Sequence, residues 1–456
     1  MKELFRLTLA AARKKIAAGE ITSRQLVESC LKRIEATDKQ LKAWVCRDAG
    51  IALKQADAID QARAEGKTLG ALAGVPIGVK DIFNTSDFPT CMGSPLWQGF
   101  TPGNDARVVY YIRQEGGVIP GKTTTAEFAV HAPADTVNPH SAAHSPGTSS
   151  SGSAVAVAAF HVPAALGTQT AGSIIRPASY CGVYGFKPTF GTVPRTGALK
   201  TTDSLDTIGM FARSVEDLQI FFDVIRVHGE NFPLLHRFLE NPDYQNKPAG
   251  EPWRILVVTD SIWTWQHADD YAKKALLDLA AELGQENGYS MDTAALPQIF
   301  GEAHRIHQTI YDKTLAYYFK EEFKKHTLIS PIMYEIINRG NLITKEQYEQ
   351  AVEEQNHLRH TAEALLERYD AVLTLSTSGQ APLFGKDDKP DTALIWTLCG
   401  LPVINLPLFR SPSDLPFGIQ IAGKRFRDYR LLKLASQLES RFNMTVTQEP
   451  ALTAAR

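Results

Sequence analysis

Short apolar runs alternate with amphipathic stretches along most of the 456 residues. The first clear helix is predicted to start at Thr22-Ser23-Arg24-Gln25, a capping-box pattern in which hydroxyl and amide side chains answer free backbone N–H groups. Behind it, Leu26, Val27, Cys30, Leu31 and Ile34 recur at helical spacing and mark one buried face. Val75 to Val79 reads as a strand, Val108 to Ile112 as a helix face and Gly117-Val118-Ile119 as another strand. Ala154 to Phe160 reads as a buried helix of small residues, followed by a strand at Pro163 to Leu166. Later strands are expected at Ile255–Val258, Ala371–Leu375, Val403–Leu406 and Gly418–Ile421. Strands separated by helices favour an α/β chain, with a mostly parallel or mixed sheet covered on both faces. Residues 228–253, rich in Asn, Pro and Gly, read as a surface connection. Residues 265–368 are charged and helix-rich, which suits either a separate domain or a helical insertion over one sheet face.

Composition narrows the picture. At about 150 residues per domain the length suggests about three domains, although large single α/β domains also occur. Apolar residues are 44% and charged residues 21%, which is globular composition with ample core material. Lys+Arg 48 against Asp+Glu 50 leaves a formal charge of −2, so no basic surface is expected to track nucleic acid. The longest apolar run, Ala154 to Leu166, is too short to cross a bilayer, so no membrane is expected as a partner. Arg6, Arg13, Lys14 and Lys15 interrupt the N-terminal apolar residues, so no signal-peptide core is expected there. Five scattered cysteines, none in a Cys-x-x-Cys pair, exclude a disulfide scaffold and argue against a cysteine-rich zinc site. The expectation is a cytoplasmic, soluble protein.

Three local patterns compete as carriers of chemistry. Gly116 to Thr123 fits the phosphate-loop spacing G-x-x-x-x-G-K-T, but a helix rather than a strand is predicted ahead of it, which is the wrong order. Ser29-Cys30-Leu31-Lys32 matches S-x-x-K without the companion motifs that would make it a nucleophile site. His304 and His307 sit one helical turn apart with no evident third ligand, so no metal is assigned.

Three further segments are joined by unusual composition. They are Gly78-Val79-Lys80-Asp81, the run Pro146-Gly147-Thr148-Ser149-Ser150-Ser151-Gly152-Ser153, and Gly167-Thr168-Gln169-Thr170-Ala171-Gly172-Ser173-Ile174-Ile175-Arg176-Pro177. Together they resemble the amidase signature family. In that family two serines 24 positions apart and a lysine form the catalytic triad, and Ser149 and Ser173 are 173 − 149 = 24 apart. Cys181 to Thr189, Ser204-Leu205-Asp206, Cys399 to Pro402 and Gly418 to Gly423 extend the likeness.

The resemblance implies one α/β/α domain over 1–456, with a large mixed, mostly parallel sheet under helices on both faces. It implies a signature core at about 70–225 and a helix-rich specificity region at about 265–368. It implies Ser173 as nucleophile, Ser149 as proton relay, Lys80 as a neutral base, and backbone N–H groups of Thr170, Ala171, Gly172 and Ser173 as the oxyanion hole. No cofactor is implied, and such enzymes are often homodimers. The activity implied is hydrolysis of a small-molecule amide or carbamate. The alternatives are the glutamine-hydrolysing subunit of an aminoacyl-tRNA amidotransferase, which requires partner subunits, and a noncatalytic binding protein. Specificity is expected from loops near Cys91, Met92, Phe128 and His131 and from Tyr311, Tyr317, Tyr318 and Phe319, whose other reading is helix packing.

Four positions depart from the family pattern. Thr148 and Ser151 replace glycines, and the peptide before the relay serine is cis in the family. Gln169 stands for the usual Asp and Ile175 for the usual Arg, with Arg176 one place later. Losing acid and base together avoids leaving either charge unpaired, so a supporting ion pair is expected to have been replaced.

Overall fold

The computed structural model describes residues 3–229, 237–259, 263–325, 327–386, 388–446 and 449–450. Its strands are β1 (Trp44–Arg47), β2 (Ile77–Lys80), β3 (Gly121–Thr123), β4 (Ala164–Gln169), β5 (Tyr184–Lys187) and β6 (Thr207–Ala212). They continue with β7 (Trp253–Val258), β8 (Tyr289–Ala294), β9 (Ala371–Leu375), β10 (Val403–Arg410) and β11 (Pro416–Gly423). All belong to one sheet in the order β1-β3-β2-β4-β6-β5-β10-β11-β9-β7-β8.

The sheet is mixed, as expected, but parallel pairing does not dominate it. Parallel pairs join β2 to β3 and β4, and β7 to β8 and β9. The other six pairings are antiparallel. The connection between β10 and β11 (411–415) is too short for a crossover and forces an antiparallel return. Strands buried on both faces carry no pattern that reveals their direction, which is why the sequence suggested otherwise.

Strand alternation feeds two helical layers. Leu166, Met210 and Phe186 enter one core with Phe221 and Phe222 of the helix Val215–Ile225 and Leu431 of the helix Asp428–Phe442. Ala165, Phe211 and Val183 face the opposite way, against Ala154 to Ala158 and Ala178. Each buried phenylalanine contributes about 1.5–3 kcal/mol, so the two layers carry much of the stability. The helix Ser23–Leu41 begins as predicted: Gln25 N–H donates to Thr22 Oγ1 at 3.0 Å, and Thr22 N–H to Gln25 Oε1 at 3.0 Å.

The small-residue helix spans Ser151–Ala158, and every residue in it is buried. Without long side chains its backbone sits close to its neighbours. A Cβ on Gly152 would lie 2.4 Å from the Thr124 nitrogen, so only glycine fits there. The charged, helix-rich stretch contains the helices Asp270–Leu283, Ala303–Tyr318, Pro331–Leu342 and Lys345–Arg368, and β8 within it extends the sheet beside β7. Of the expected surface connection at 228–253, residues 230–236 lie outside the described residues, and a short helix occupies Pro242–Gln245.

The phosphate-loop look-alike resolves into sheet. The strand expected at 117–119 lies instead at β3, and Val118 makes only an isolated bridge to Pro76. Pro120 has no N–H to offer a ladder, so regular pairing resumes after it. Lys122 is consumed within β3: its Nζ pairs with Asp81 Oδ1 at 3.2 Å and donates to Thr90 Oγ1 at 2.9 Å, fully buried. Breaking a buried pair by removing one partner strands the other charge, so Lys122→Met should lower unfolding stability by about 3–5 kcal/mol in urea titrations. A loss below about 1 kcal/mol would mean that Asp81 is not held as a carboxylate by this lysine.

Candidate active site

β2 and β4 are parallel neighbours, with Ile77 beside Ala164 and Gly78 beside Ala165. Their carboxyl ends therefore emerge together, the usual place for a site in an α/β sheet. Lys80 ends β2, Thr168 and Gln169 end β4, and Ser149 and Ser150 lead into the helix Ser151–Ala158.

Lys80 is fully buried, with its Nζ 3.0 Å from Ser149 Oγ, 2.9 Å from Ser150 Oγ and 2.9 Å from Thr168 Oγ1. Burial holds its pKa well below the ordinary lysine value, and the charge of Asp206 only partly opposes that shift. A neutral amine has two N–H groups and one lone pair, which matches three hydroxyl neighbours. Ser150 donates its own proton to Thr168 O at 3.1 Å and accepts Thr168 N–H at 3.3 Å. Ser150 and Thr168 thus suit the two amine protons, and the lone pair is left for Ser149.

Ser149 O accepts from Thr125 Oγ1 at 2.9 Å, which pins the backbone of that residue. The Thr148–Ser149 peptide is trans, as are all peptide bonds among the described residues, in contrast to the cis bond of the family pattern. Ser173 is 8% exposed, and among the described residues no hydrogen bond reaches its hydroxyl. The structure therefore joins Lys80 to Ser149 directly and places Ser173 in the adjoining loop without a closed link to Ser149.

That loop is strapped by its carbonyls. Thr170 O accepts from His307 Nε2 at 2.9 Å, Ala171 O from Thr397 Oγ1 at 2.6 Å, and Gly172 O from Arg176 N–H at 2.8 Å. The N–H groups of Thr170, Ala171, Gly172 and Ser173 donate to nothing among the described residues. Four successive free donors on an anchored backbone are what an oxyanion site needs. Thr170 Oγ1 also donates to Asp206 Oδ1 at 2.8 Å, and Asp206 takes the N–H and hydroxyl groups of Thr201 and Thr202 as well.

The departures at 169 and 175 now have a physical account. Gln169 Oε1 accepts the N–H groups of Ile174 at 2.8 Å and Ile175 at 3.0 Å, a task the usual carboxylate could also perform. The Ile175 side chain is buried with Leu205, Leu256 and Trp396. A neutral acceptor and an apolar contact thus stand where an ion pair was expected. Arg176 turns elsewhere, pairing with Asp388 at 2.9 Å and Asp391 at 3.1 Å, while Tyr180 Oη donates to Asp388 at 2.6 Å.

The expected specificity residues gather on one side. Met92, Phe128, Tyr311 and Phe319 share a buried cluster with the helix Pro331–Leu342. Tyr311 stacks on His307 with centroids 5.5 Å apart, and His131 meets its edge at 5.7 Å. Burial brings His307 down to about 4, so it acts as a neutral Nε2–H donor. Cys91 contributes its backbone N–H to Asp81, Tyr318 bonds Asp203, and Tyr317 is exposed. A cavity of about 240 Å³ borders Thr168, Thr170, Ala129, Leu199 and Asp206, next to this cluster.

Sequence reasoning missed Ser150, Thr168, Asp206, His307 and Thr397 as functional neighbours. Ser150 and Thr168 lay inside the quoted motifs, and Asp206 inside a matching tripeptide. His307 and Thr397 carried no local signal, since they reach the loop from 137 and 226 residues away.

Comparison with known proteins places these features. The family model described as Amidase matches residues 25–432. A glutamyl-tRNA(Gln) amidotransferase subunit of Streptomyces coelicolor is 31% identical over 485 aligned positions, covering 97% of both chains. The corresponding protein of Chloroflexus aurantiacus, which carries the same name, is 41% identical over 261 positions. That match covers 55% of this chain and 53% of the relative, so it spans about half the relative's length. Among solved structures, an amidase superposes with a TM-score of 0.84 at 27% identity, covering 96% of this chain and 100% of that one. The peptide amidase of Stenotrophomonas maltophilia superposes with a TM-score of 0.77 at 26% identity, covering 98% and 99%.

The buried lysine makes a prediction that does not depend on turnover. The unfolded chain protonates Lys80 below its ordinary pKa near 10.5, whereas the folded chain stays neutral down to the depressed value. Between those values the fold loses stability as pH falls. The stability of wild type relative to Lys80→Met should therefore improve as pH rises from 7 to 10 in parallel urea titrations. A pH-independent difference would show a lysine of ordinary pKa.

Proposed function

The chain belongs to the amidase signature family, and on that premise we propose that it hydrolyses a carboxamide C–N bond through an acyl-enzyme on Ser173. The observation that carries the proposal is the buried Lys80 amine against Ser149 Oγ, beside a loop of unpartnered N–H groups. Ser173 Oγ attacks the carbonyl carbon, its proton passes to Ser149, and the Ser149 proton passes to Lys80. The oxyanion is received by N–H groups of the 170–173 loop; loss of one such donor typically costs about 3–4 kcal/mol in the barrier. Lys80 then returns the proton through Ser149 to the leaving nitrogen, and water attacks the acyl-enzyme by the same path in reverse. Substrate completes the link between Ser149 and Ser173, as catalytic hydrogen bonds commonly tighten only in the bound complex.

For the amide donor we favour glutamine, with the chain acting beside partner subunits, as the name of its full-length relatives denotes for those proteins. The site supports this reading. Asp388 and Asp391 share the single guanidinium of Arg176, and the Asp391 carboxylate lies so close to Gly172 that a Cβ there would meet it at 2.2 Å. Two carboxylates against one cation leave negative charge next to the nucleophile loop, which suits the ammonium of an amino acid. The second reading is a small-molecule amide or carbamate cleaved by the chain alone. It draws on the structural likeness to the amidase and peptide amidase and on the apolar cluster of Met92, Phe128 and Tyr311.

Ammonia or amine release from L-glutamine, glutaramide, aryl amides and carbamates separates the two, measured with the chain alone and with co-purified partners. Preference for glutamine over glutaramide, which lacks the ammonium, supports the first reading. Turnover of amides or carbamates by the chain alone, without glutaminase activity, supports the second. Ser173→Ala should lower kcat by at least about 10⁴-fold with any substrate, and normal turnover in that variant sinks both.

kcat/KM should fall toward acid pH as Lys80 gains a proton, and level off above its depressed pKa. A profile flat down to pH 5 would refute the lysine base.

A further inference from the structure

We infer that Thr397 is a positioning residue that aims the oxyanion donors, and that the carboxamide of Gln169 sets the direction of its proton. The inference rests on the reading of Ser173 as nucleophile and concerns how its loop is held.

The amide orientation of Gln169 is fixed by its partners. Its oxygen accepts two backbone N–H groups, from Ile174 and Ile175, so its Nε2 must be the atom 2.9 Å from Thr397 Oγ1. That N–H occupies a lone pair of the Thr397 hydroxyl and leaves the hydroxyl proton to be donated. Two acceptors face it: Ala171 O at 2.6 Å, and Ala393 O of its own helix at 3.2 Å. The usual habit of a helical threonine is the bond to its own helix, yet the shorter contact here goes to the loop. Gln169 and Thr397 are both fully buried, so water offers no substitute partner.

The consequence lies one atom further on. A peptide unit is planar and trans, so its carbonyl and the following N–H point in opposite directions. Holding Ala171 O by Thr397 therefore sets the direction of the Gly172 N–H. A chain of donors runs from Gln169 Nε2–H through the Thr397 hydroxyl to Ala171 O. A carboxylate at 169 would reverse it, because an acid offers no N–H to Thr397 and would itself attract the hydroxyl proton. Gln169 is thus more than a neutral filler for a lost ion pair, since its amide supplies a donor that an acid lacks.

The test uses the full chain and the rate at which a fluorophosphonate probe labels Ser173, since the tetrahedral adduct of the probe needs the same donors. Wild type should label at Ser173. Thr397→Val, close in shape but without the hydroxyl, should label about 10- to 100-fold more slowly. Gln169→Glu, close in size but without the donor, should slow labelling similarly. The double variant should be little slower than the worse single, because both changes cut one chain. Thr397→Ser should recover most of the rate, and KM for a cleaved amide should stay near wild type while kcat falls.

Circular dichroism and a thermal melt establish that each variant is folded. If Thr397→Val does not fold, Gln169→Glu decides by the same readout. Labelling at the wild-type rate in folded Thr397→Val overturns the inference, as does Thr397→Ser labelling as slowly as Thr397→Val. Absence of Ser173 labelling in wild type overturns the nucleophile reading itself, and this inference with it.

Discussion

A lysine buried without a counter-ion is the constraint from which the rest of the site follows. An ammonium taken out of water costs several kcal/mol unless paired, so the amine must be neutral or must find a carboxylate. The chain keeps a carboxylate away by strand geometry. Asp81 follows Lys80 directly, and consecutive side chains at a strand end point to opposite sides, so Asp81 meets Lys122 and the Cys91 N–H instead. Three hydroxyls remain around Lys80, and hydroxyls can satisfy a neutral amine without charging it. The parallel register of β2 and β4 brings Thr168 there, and the all-buried helix after Ser150 brings the serines.

The nucleophile loop obeys the complementary rule. Its N–H groups stay free only because its carbonyls are held by distant segments: His307 from one helix, Thr397 from another. A loop of small residues would otherwise sample many backbone conformations, and a disordered set of donors stabilises no oxyanion. Charge is again kept away from the reacting atoms, where Gln169 and Ile175 stand for an acid and a base. The ionised groups Arg176, Asp388 and Asp391 gather one layer further out, where a charged substrate group could be read.

Local rules made a good part of this legible. The capping box at Thr22 and the strands at Ala371–Leu375 and Val403 onward were readable because cap chemistry and dense β-branched runs act over a few residues. β5 and β6 were not, because Tyr184-Gly185-Phe186-Lys187 and Thr207–Ala212 are buried on both faces and show no alternation. The strand misplaced at 117–119 shows the limit in another form. Val118 and Ile119 are apolar enough for a strand, but the proline after them moves the ladder onward.

By itself, the sequence determined the chemical types at the site: one lysine after an apolar strand, two serines 24 apart, and a small-residue loop whose usual acid and base were exchanged together. Those features are local in composition or set by spacing, so they are readable before any fold is known. The tertiary structure alone decided which hydroxyls surround Lys80, which way Asp81 faces, and that Ser150, Asp206, His307 and Thr397 belong to the site. It also decided that antiparallel pairs outnumber parallel ones. These are contacts between residues up to 226 positions apart, and burial and packing, not local propensity, choose among such partners.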